Sequence, residues 1–132
     1  TGVQTCALPI SDSVGWAGIA IETCDGADLL DISISNITID DMQAAIFIRR
    51  ENRGRKYKED MEKPLPGLLK NISISNIIAT NMRNYSSSIT GIPNYDIENV
   101  TFSNIMIHTK GGGTYEDVEK EVPEMEGAYP DT

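Results

Sequence analysis

The chain has 132 residues, with 20 acidic side chains, 11 basic ones and a formal net charge of −9 at pH 7. This charge argues against nucleic acid as a partner, and no segment is apolar over the length of a membrane span. The length suits one domain, although a stacked repeat has no preferred length.

The first ten residues, 1–10, differ in kind from those that follow. All ten amino acids match the translation of a common short-read sequencing adapter. We therefore expect 1–10 to be an assembly artefact, and 11–132 to be a partial domain that is truncated at both ends. The alternative is a genuine N-terminal segment, but it has neither a charged start nor a long apolar run. Cys24 is then the one native cysteine, so neither a disulfide nor a metal site is expected.

A seven-residue motif, Asp31-Ile-Ser-Ile-Ser-Asn-Ile, occurs three times, at 31–37, at 71–77 and more loosely at 99–105. Apolar residues alternate within each copy, as Ile32 and Ile34 do, and this period of two is typical of β-strands. Repeats that recur every 20 to 50 residues or so bury their apolar faces by stacking on one another. The pattern therefore predicts an all-β repeat array.

The spacing of the copies predicts how each coil is built. The copies are 40 and 28 residues apart, and the excess lies in the polar segment 51–67, which we interpret as an inserted loop. A second series of short strands, which begin near Gly18, Ala45 and Ser88, supports the same register. Each coil then holds two short strands separated at Ser-Asn, a turn and a third strand, which predicts about three coils of a parallel β-helix. A leucine-rich repeat fits poorly, because Ile dominates and one Ser precedes the Asn.

Asparagine recurs at one place in each copy, at Asn36, Asn76 and Asn104. Strands stacked about 4.8 Å apart would bring these amides within hydrogen-bonding distance of one another. We therefore predict an asparagine ladder along the stack.

Charge is distributed unevenly along the chain. Seven of the eleven basic residues lie between Arg49 and Lys63. The segment 111–132 is an acidic loop that begins with a Gly-Gly-Gly break. A basic run of this kind is either a solvated loop or an anion-binding rim, and the sequence leaves both interpretations open.

Strand alternation also predicts which side chains point outward. If Ile19, Ile21, Ile46 and Ile48 point into the coil, then Glu22 and Arg49 point out and are neighbours on successive coils. The simpler interpretation is a surface ion pair. The alternative is a substrate-binding site in which Glu22 accepts sugar hydroxyls and Arg49 binds a carboxylate, helped by Arg50 or Arg53.

Several segments together resemble the polygalacturonase-like glycoside hydrolases of family 28. The resemblance implies a right-handed parallel β-helix, secreted or periplasmic and monomeric, that hydrolyses α-glycosidic bonds of pectic polysaccharide with inversion. It further implies catalytic Asp residues and no metal or other cofactor. The segments that carry it are 18–39, 45–50, 88–93, 97–105, the Gly-Gly-Gly-Thr at 111–114 and the Ala-Tyr-Pro at 128–130.

The chain departs from the family pattern in two places. The family's Asn-Thr-Asp, Asp-Asp and Gly-His-Gly motifs precede the coils that are present here, so we expect no catalytic residue in this chain and no activity from it alone. Asp40 and Asp41 imitate the acidic pair but follow Ile39 in a turn. Where the family often has Arg-Ile-Lys, this chain has Ala20-Ile-Glu22, and a carboxylate there would repel a galacturonate. The expected substrate-binding residues are Glu22 and Arg49.

Two other function classes remain open. A non-hydrolytic β-helix, such as an adhesin or a tail spike, would bind carbohydrate without cleaving it, but it would tend toward more uniform coils. A calcium-dependent pectate lyase relative would need Asp residues clustered on one strand, and the sequence has no such cluster.

Overall fold

The computed structural model describes residues 9–11, 17–83 and 87–119. These residues are nearly all strand or irregular, so the predicted all-β class is confirmed. The only helix among them is a short 3₁₀ helix, Tyr115–Glu119, and no helix in the described ranges is long and apolar enough to cross a membrane. The strands are β1 (Pro9–Ser11), β2 (Ala17–Thr23), β3 (Leu29–Asp40), β4 (Ala44–Arg50), β5 (Leu69–Met82), β6 (Ser88–Thr90) and β7 (Glu98–Thr109).

The strands form two parallel sheets, between which the chain alternates. One sheet has the order β1-β3-β5-β7 and the other the order β2-β4-β6. Each repeat lies directly over the next, since Ile32 pairs with Ile72 and Ile72 with Val100. The register that was predicted from the motif is therefore confirmed. The 40-residue and 28-residue spacings produce the same pairing because the extra residues lie between β4 and β5.

The predicted separation at Ser-Asn is a bend within one strand. Asn36, Asn76 and Asn104 have positive φ angles of 61°, 54° and 53°. Asparagine adopts this left-handed conformation more readily than most residues, because its short side chain bonds locally. Pairing continues on both sides of each bend, so β3, β5 and β7 are each one bent strand rather than two.

A second bend, which the sequence interpretation did not include, lies five residues earlier in each copy. Asp31, Asn71 and Asn99 have φ angles of 57°, 59° and 54°. The alternation of side chains restarts after each bend, so Ile72 and Ile74 point inward before Asn76, and Ile77 and Ala79 do so after it. Because of the two left-handed residues, the parts of one strand before and after a bend both point their apolar side chains into the core.

The core lies between the two sheets and is fullest in the middle coil. Its members on β5 are at most 1% exposed, whereas the equivalent residues of β7 are half-buried or exposed. Ile89 of β6 pairs with the buried Ile48 of β4, but it is 49% exposed. The buried members on β5 are Leu69, Ile72, Ile74, Ile77, Ala79 and Met82.

The loop and segment boundaries were also predicted from the sequence. Residues 51–67 contain neither helix nor strand and connect β4 to β5, where the insertion was placed. β1 crosses the boundary at residue 10 and pairs with Thr38–Asp40 of β3. Whether 1–10 derives from an adapter is a question about the nucleotide sequence and stays a prediction. Residues 1–8, and the acidic segment after 119, lie outside the described residues.

Candidate functional site

The predicted neighbours Glu22 and Arg49 are direct partners in the sheet formed by β2, β4 and β6. Glu22 pairs with Arg49, and Arg49 with Thr90 of the next strand. We call these three residues the outer row. The adjacency that strand alternation predicted is therefore confirmed, since the inward positions of the same strands hold Ile21 and Ile48, which are at most 6% exposed.

The burial of the outer row differs from expectation. Arg49 was expected on an open surface, yet it is 1% exposed, and both carboxylate oxygens of Glu22 are also buried. The Arg49 guanidinium lies 3.5 Å from Glu51 Oε1 and 4.8 Å from the centre of the Phe47 ring, which adds a cation–π contact. Arg49 is thus an internal cation with one acidic neighbour, Glu51, just after its own strand and another, Glu22, on the adjacent strand. Its role in substrate binding, and that of Glu22, stay predictions.

Arg50, which was expected to assist Arg49, has a structural role instead. It ends β4 rather than standing in the inserted loop, and it is 5% exposed. Its Nη1 donates to the Asp96 carbonyl oxygen at 2.6 Å and its Nη2 to the Pro66 carbonyl oxygen at 3.4 Å. The guanidinium also lies over the Tyr95 ring at 5.2 Å. Arg50 therefore joins the end of the inserted loop to the turn before β7.

Arg53, the other expected helper, is held by Asp25. Its Nε donates to Asp25 Oδ1 at 3.0 Å and its Nη2 to Oδ2, while Arg55 donates to the same carboxylate from its backbone N and its Nε. The hydrogen bonds from Arg53, and then those from Arg55, hold the pKa of Asp25 well below its usual range. This carboxylate fastens the start of the inserted loop to the turn after β2.

Cys24 lies next to this cluster and is a free cysteine. Burial raises the pKa of its thiol, although the nearby Arg53 acts in the opposite direction. Arg53 Nη2 contacts the sulfur at 3.4 Å. A raised pKa disfavours the thiolate, which is the nucleophilic form of cysteine.

Asp40 and Asp41 both bond to residues of other coils. Asp40 Oδ1 accepts hydrogen bonds from Thr80 Oγ1 at 2.9 Å and Asn81 Nδ2 at 2.7 Å. Asp41 accepts two from Arg83, at 3.0 and 2.8 Å, and one from Lys110.

These contacts make the Asp41 carboxyl unsuitable as a general acid. The hydrogen bonds from Arg83, and next those from Lys110, hold its pKa well below the usual range, whereas a glycosidase acid needs a raised pKa. The geometry therefore favours the scaffold role that the sequence position of this pair indicated.

The predicted asparagine ladder is confirmed. Asn76 Nδ2 donates to Asn36 Oδ1 at 3.1 Å, and Asn104 Nδ2 donates to Asn76 Oδ1 at 2.8 Å. A second ladder, which was not predicted, runs from Asn99 through Asn71 to Asp31, with distances of 3.0 and 2.7 Å. The sequence held the signal for it, because each motif copy begins with Asp or Asn.

The remaining chemistry of the site is limited. In the ranges that the structure describes, no three His, Cys, Asp or Glu side chains are grouped as metal ligands would be, and His108 lies exposed on β7. The outer row supplies buried charge and hydrogen-bonding groups but no pair of carboxylates placed for acid–base work. No model of a known protein family, no curated protein and no solved structure matches this chain.

Proposed function

We propose that this chain forms later coils of a polygalacturonase-like glycoside hydrolase that cleaves pectic polysaccharide with inversion. The observation that carries the proposal is the stacking of β2, β4 and β6 in register, which places Glu22, Arg49 and Thr90 in one row, with Glu22 and Arg49 adjacent as strand alternation predicted. The two parallel sheets and the asparagine ladders further support a parallel β-helix. A right-handed coil is favoured because connections between parallel strands of one sheet are right-handed in about 98% of cases.

The catalytic carboxylates would stand on coils that precede Glu22. Inversion needs one carboxylic acid to protonate the leaving oxygen and a second carboxylate, about 6.5 to 9.5 Å away, to activate water. Asp25 and Asp41 are not suited to these roles, since each is held by arginine. The complete protein is expected to be secreted or periplasmic, because its polymeric substrate lies outside the cell, and to be a monomer.

The first test is to determine the gene sequence upstream of Ser11 and to assay the encoded protein. We expect Asn-Thr-Asp and Asp-Asp motifs two or three coils earlier. New reducing ends should form from polygalacturonate or rhamnogalacturonan, and NMR should show the inverted anomer as the first product. Absence of the motifs and of hydrolysis, with binding retained, would instead favour the non-hydrolytic carbohydrate-binding alternative, and cleavage by elimination would favour the lyase.

The outer row is tested in that longer protein by Arg49→Ala and Arg49→Lys. We expect Arg49→Ala to weaken binding of acidic oligosaccharides by about 10-fold or more, because a charge-assisted hydrogen bond contributes about 1.5–3 kcal/mol. Arg83→Ala is the matched control, since it also removes an arginine paired with a carboxylate but lies away from the outer row. Thermal unfolding of each variant shows whether a loss of binding is caused by a loss of stability. Unchanged affinity in a folded Arg49→Ala variant would contradict the proposed role of Arg49.

A further inference from the structure

The structure divides the basic run into two groups with different surroundings. Five of its members are committed to protein partners: Arg49 to Glu51, Arg50 to the carbonyl oxygens of Asp96 and Pro66, Arg53 and Arg55 to Asp25, and Lys63 to the Asn52 carbonyl oxygen at 2.9 Å. Lys56 and Lys58 are exposed and make no ion pair with any acid in the described ranges. The choice between a solvated loop and an anion-binding rim therefore concerns these two lysines.

The residue between them is Tyr57, whose side chain is 91% exposed. Arg55, just before the pair, is 69% exposed although it bonds to Asp25. Four consecutive residues, 55–58, thus present an aromatic ring and three cations to solvent. We call residues 55–58 the arm.

The arm stands on a firmly attached base. Gly54 N donates to the Cys24 carbonyl oxygen at 2.8 Å, and Leu68 N donates to Asp28 Oδ1 at 2.7 Å, so both ends of the inserted loop bond to the turn after β2. Gly67 lies so close that a Cβ there would be 2.0 Å from the Ala27 carbonyl oxygen. Because the base is fixed, ordering the exposed tip on a ligand costs less conformational entropy than ordering a free loop would.

We propose that the arm binds a stretch of uronate-bearing polysaccharide, with Tyr57 stacked on a sugar ring and Lys56 and Lys58 paired with sugar carboxylates. This inference rests on the proposed function and adds a second contact region beside the outer row, since the inserted loop begins at Glu51, two residues after Arg49. A tyrosine offers a rigid apolar face at low entropic cost, and an anionic polymer repeats its carboxylates along its length. The chain as a whole has a net charge of −9, so the three cations of the arm are a local exception to its acidic character. The overall negative charge disfavours nucleic acid as the ligand.

The test measures the affinity of the full 132-residue chain for oligogalacturonate and for a neutral oligogalactan of equal length, at low and at physiological salt. We expect Tyr57→Ala to weaken binding of both ligands by about tenfold. Lys58→Gln should weaken only oligogalacturonate, by about threefold, and should reduce the salt dependence. Lys70→Gln on β5 is the control with the same change of charge. All three positions lie outside the core, so the unfolding midpoint should not change.

Equal affinity of the wild type and both arm variants would overturn the proposal. So would single-stranded DNA that binds as tightly as oligogalacturonate and with the same dependence on Tyr57. The same substitutions are also measured in the longer protein with its preceding coils. If the longer protein hydrolyses the substrate with a Michaelis constant that Tyr57→Ala does not change, the binding role of the arm is rejected and the proposed hydrolase function stands. If binding depends on the arm but no hydrolysis occurs, the hydrolase function is rejected and the binding role of the arm stands.

Discussion

Strands β5 and β7 carry the same motif in the same register, yet they differ in burial. Ile74 and Ala79 of β5 are fully buried, whereas their partners Phe102 and Ile107 of β7 are 39% and 38% exposed. The bends at Asn71 and Asn76 of β5 recur at Asn99 and Asn104 of β7. What differs is the number of neighbours: β5 lies between β3 and β7, while β7 has one sheet partner among the described strands.

The comparison shows that burial in this fold is set by place in the stack. A local sequence that alternates apolar and polar residues decides which way a side chain points, but a neighbouring coil on each side is needed to remove it from water. Full burial of an aliphatic side chain contributes about 1.5–3 kcal/mol, so the same residue type is worth less at the end of the stack than in its middle.

The largest expected difference is between Ile77→Ala and Ile105→Ala, at paired positions of β5 and β7. Ile77 is fully buried, so its truncation should lower the free energy of unfolding by about 2–5 kcal/mol. Ile105 is partly exposed and should lose about half as much. Urea denaturation of both variants measures the difference. Equal losses would show that position in the stack does not control the energetics.

A smaller effect is expected in the asparagine ladder, where Asn76 has neighbours on both sides and Asn104 on one. Asn76→Ala loses two hydrogen bonds and places an alanine at positive φ, for a total of about 2–3 kcal/mol. Asn104→Ala should lose about 0.5 kcal/mol less, because it breaks one exposed bond rather than two.

Asn76→Gly separates the two causes, since glycine accepts the left-handed conformation but cannot continue the ladder. It should lose about 1 kcal/mol, again by urea denaturation. A glycine variant as unstable as the alanine variant would mean that backbone strain contributes little.

The smallest expected effect concerns Asp41, whose ion pairs with Arg83 and Lys110 tie the last coil to the first. Its pKa is lowered in the folded state, so its contribution is present above about pH 4 and is lost as the pH falls toward the lowered value. Asp41→Asn should therefore lower the thermal midpoint at pH 7 and change it less at pH 3. Asp60→Asn in the exposed loop is the control. A difference as large at pH 3 as at pH 7 would contradict the ion-pair account.

Much of the architecture could be predicted because the repeat carries it three times. The alternation gave the strands, the spacings located the inserted loop, and the recurring Asn36, Asn76 and Asn104 predicted one ladder. Stacked neighbours such as Glu22 and Arg49 followed from the register.

The surroundings of individual side chains could not be predicted in the same way. Nothing in the local sequence distinguishes Arg50, bonded to two backbone carbonyls, from Lys58, which is exposed. Ile89 pairs with the fully buried Ile48, yet it is 49% exposed. Such outcomes depend on contacts between distant segments, and no single repeat encodes them.

The inserted loop leaves the pairing of β3 with β5 equivalent to that of β5 with β7, although the first pairing spans 40 residues and the second 28. Which residues meet is therefore independent of how much chain is placed between β4 and β5. Recombination at this point can exchange one loop for another without altering a stacked strand. The sequence of the loop and the stacking of the strands can then vary separately, and a designer can graft new loops here for the same reason.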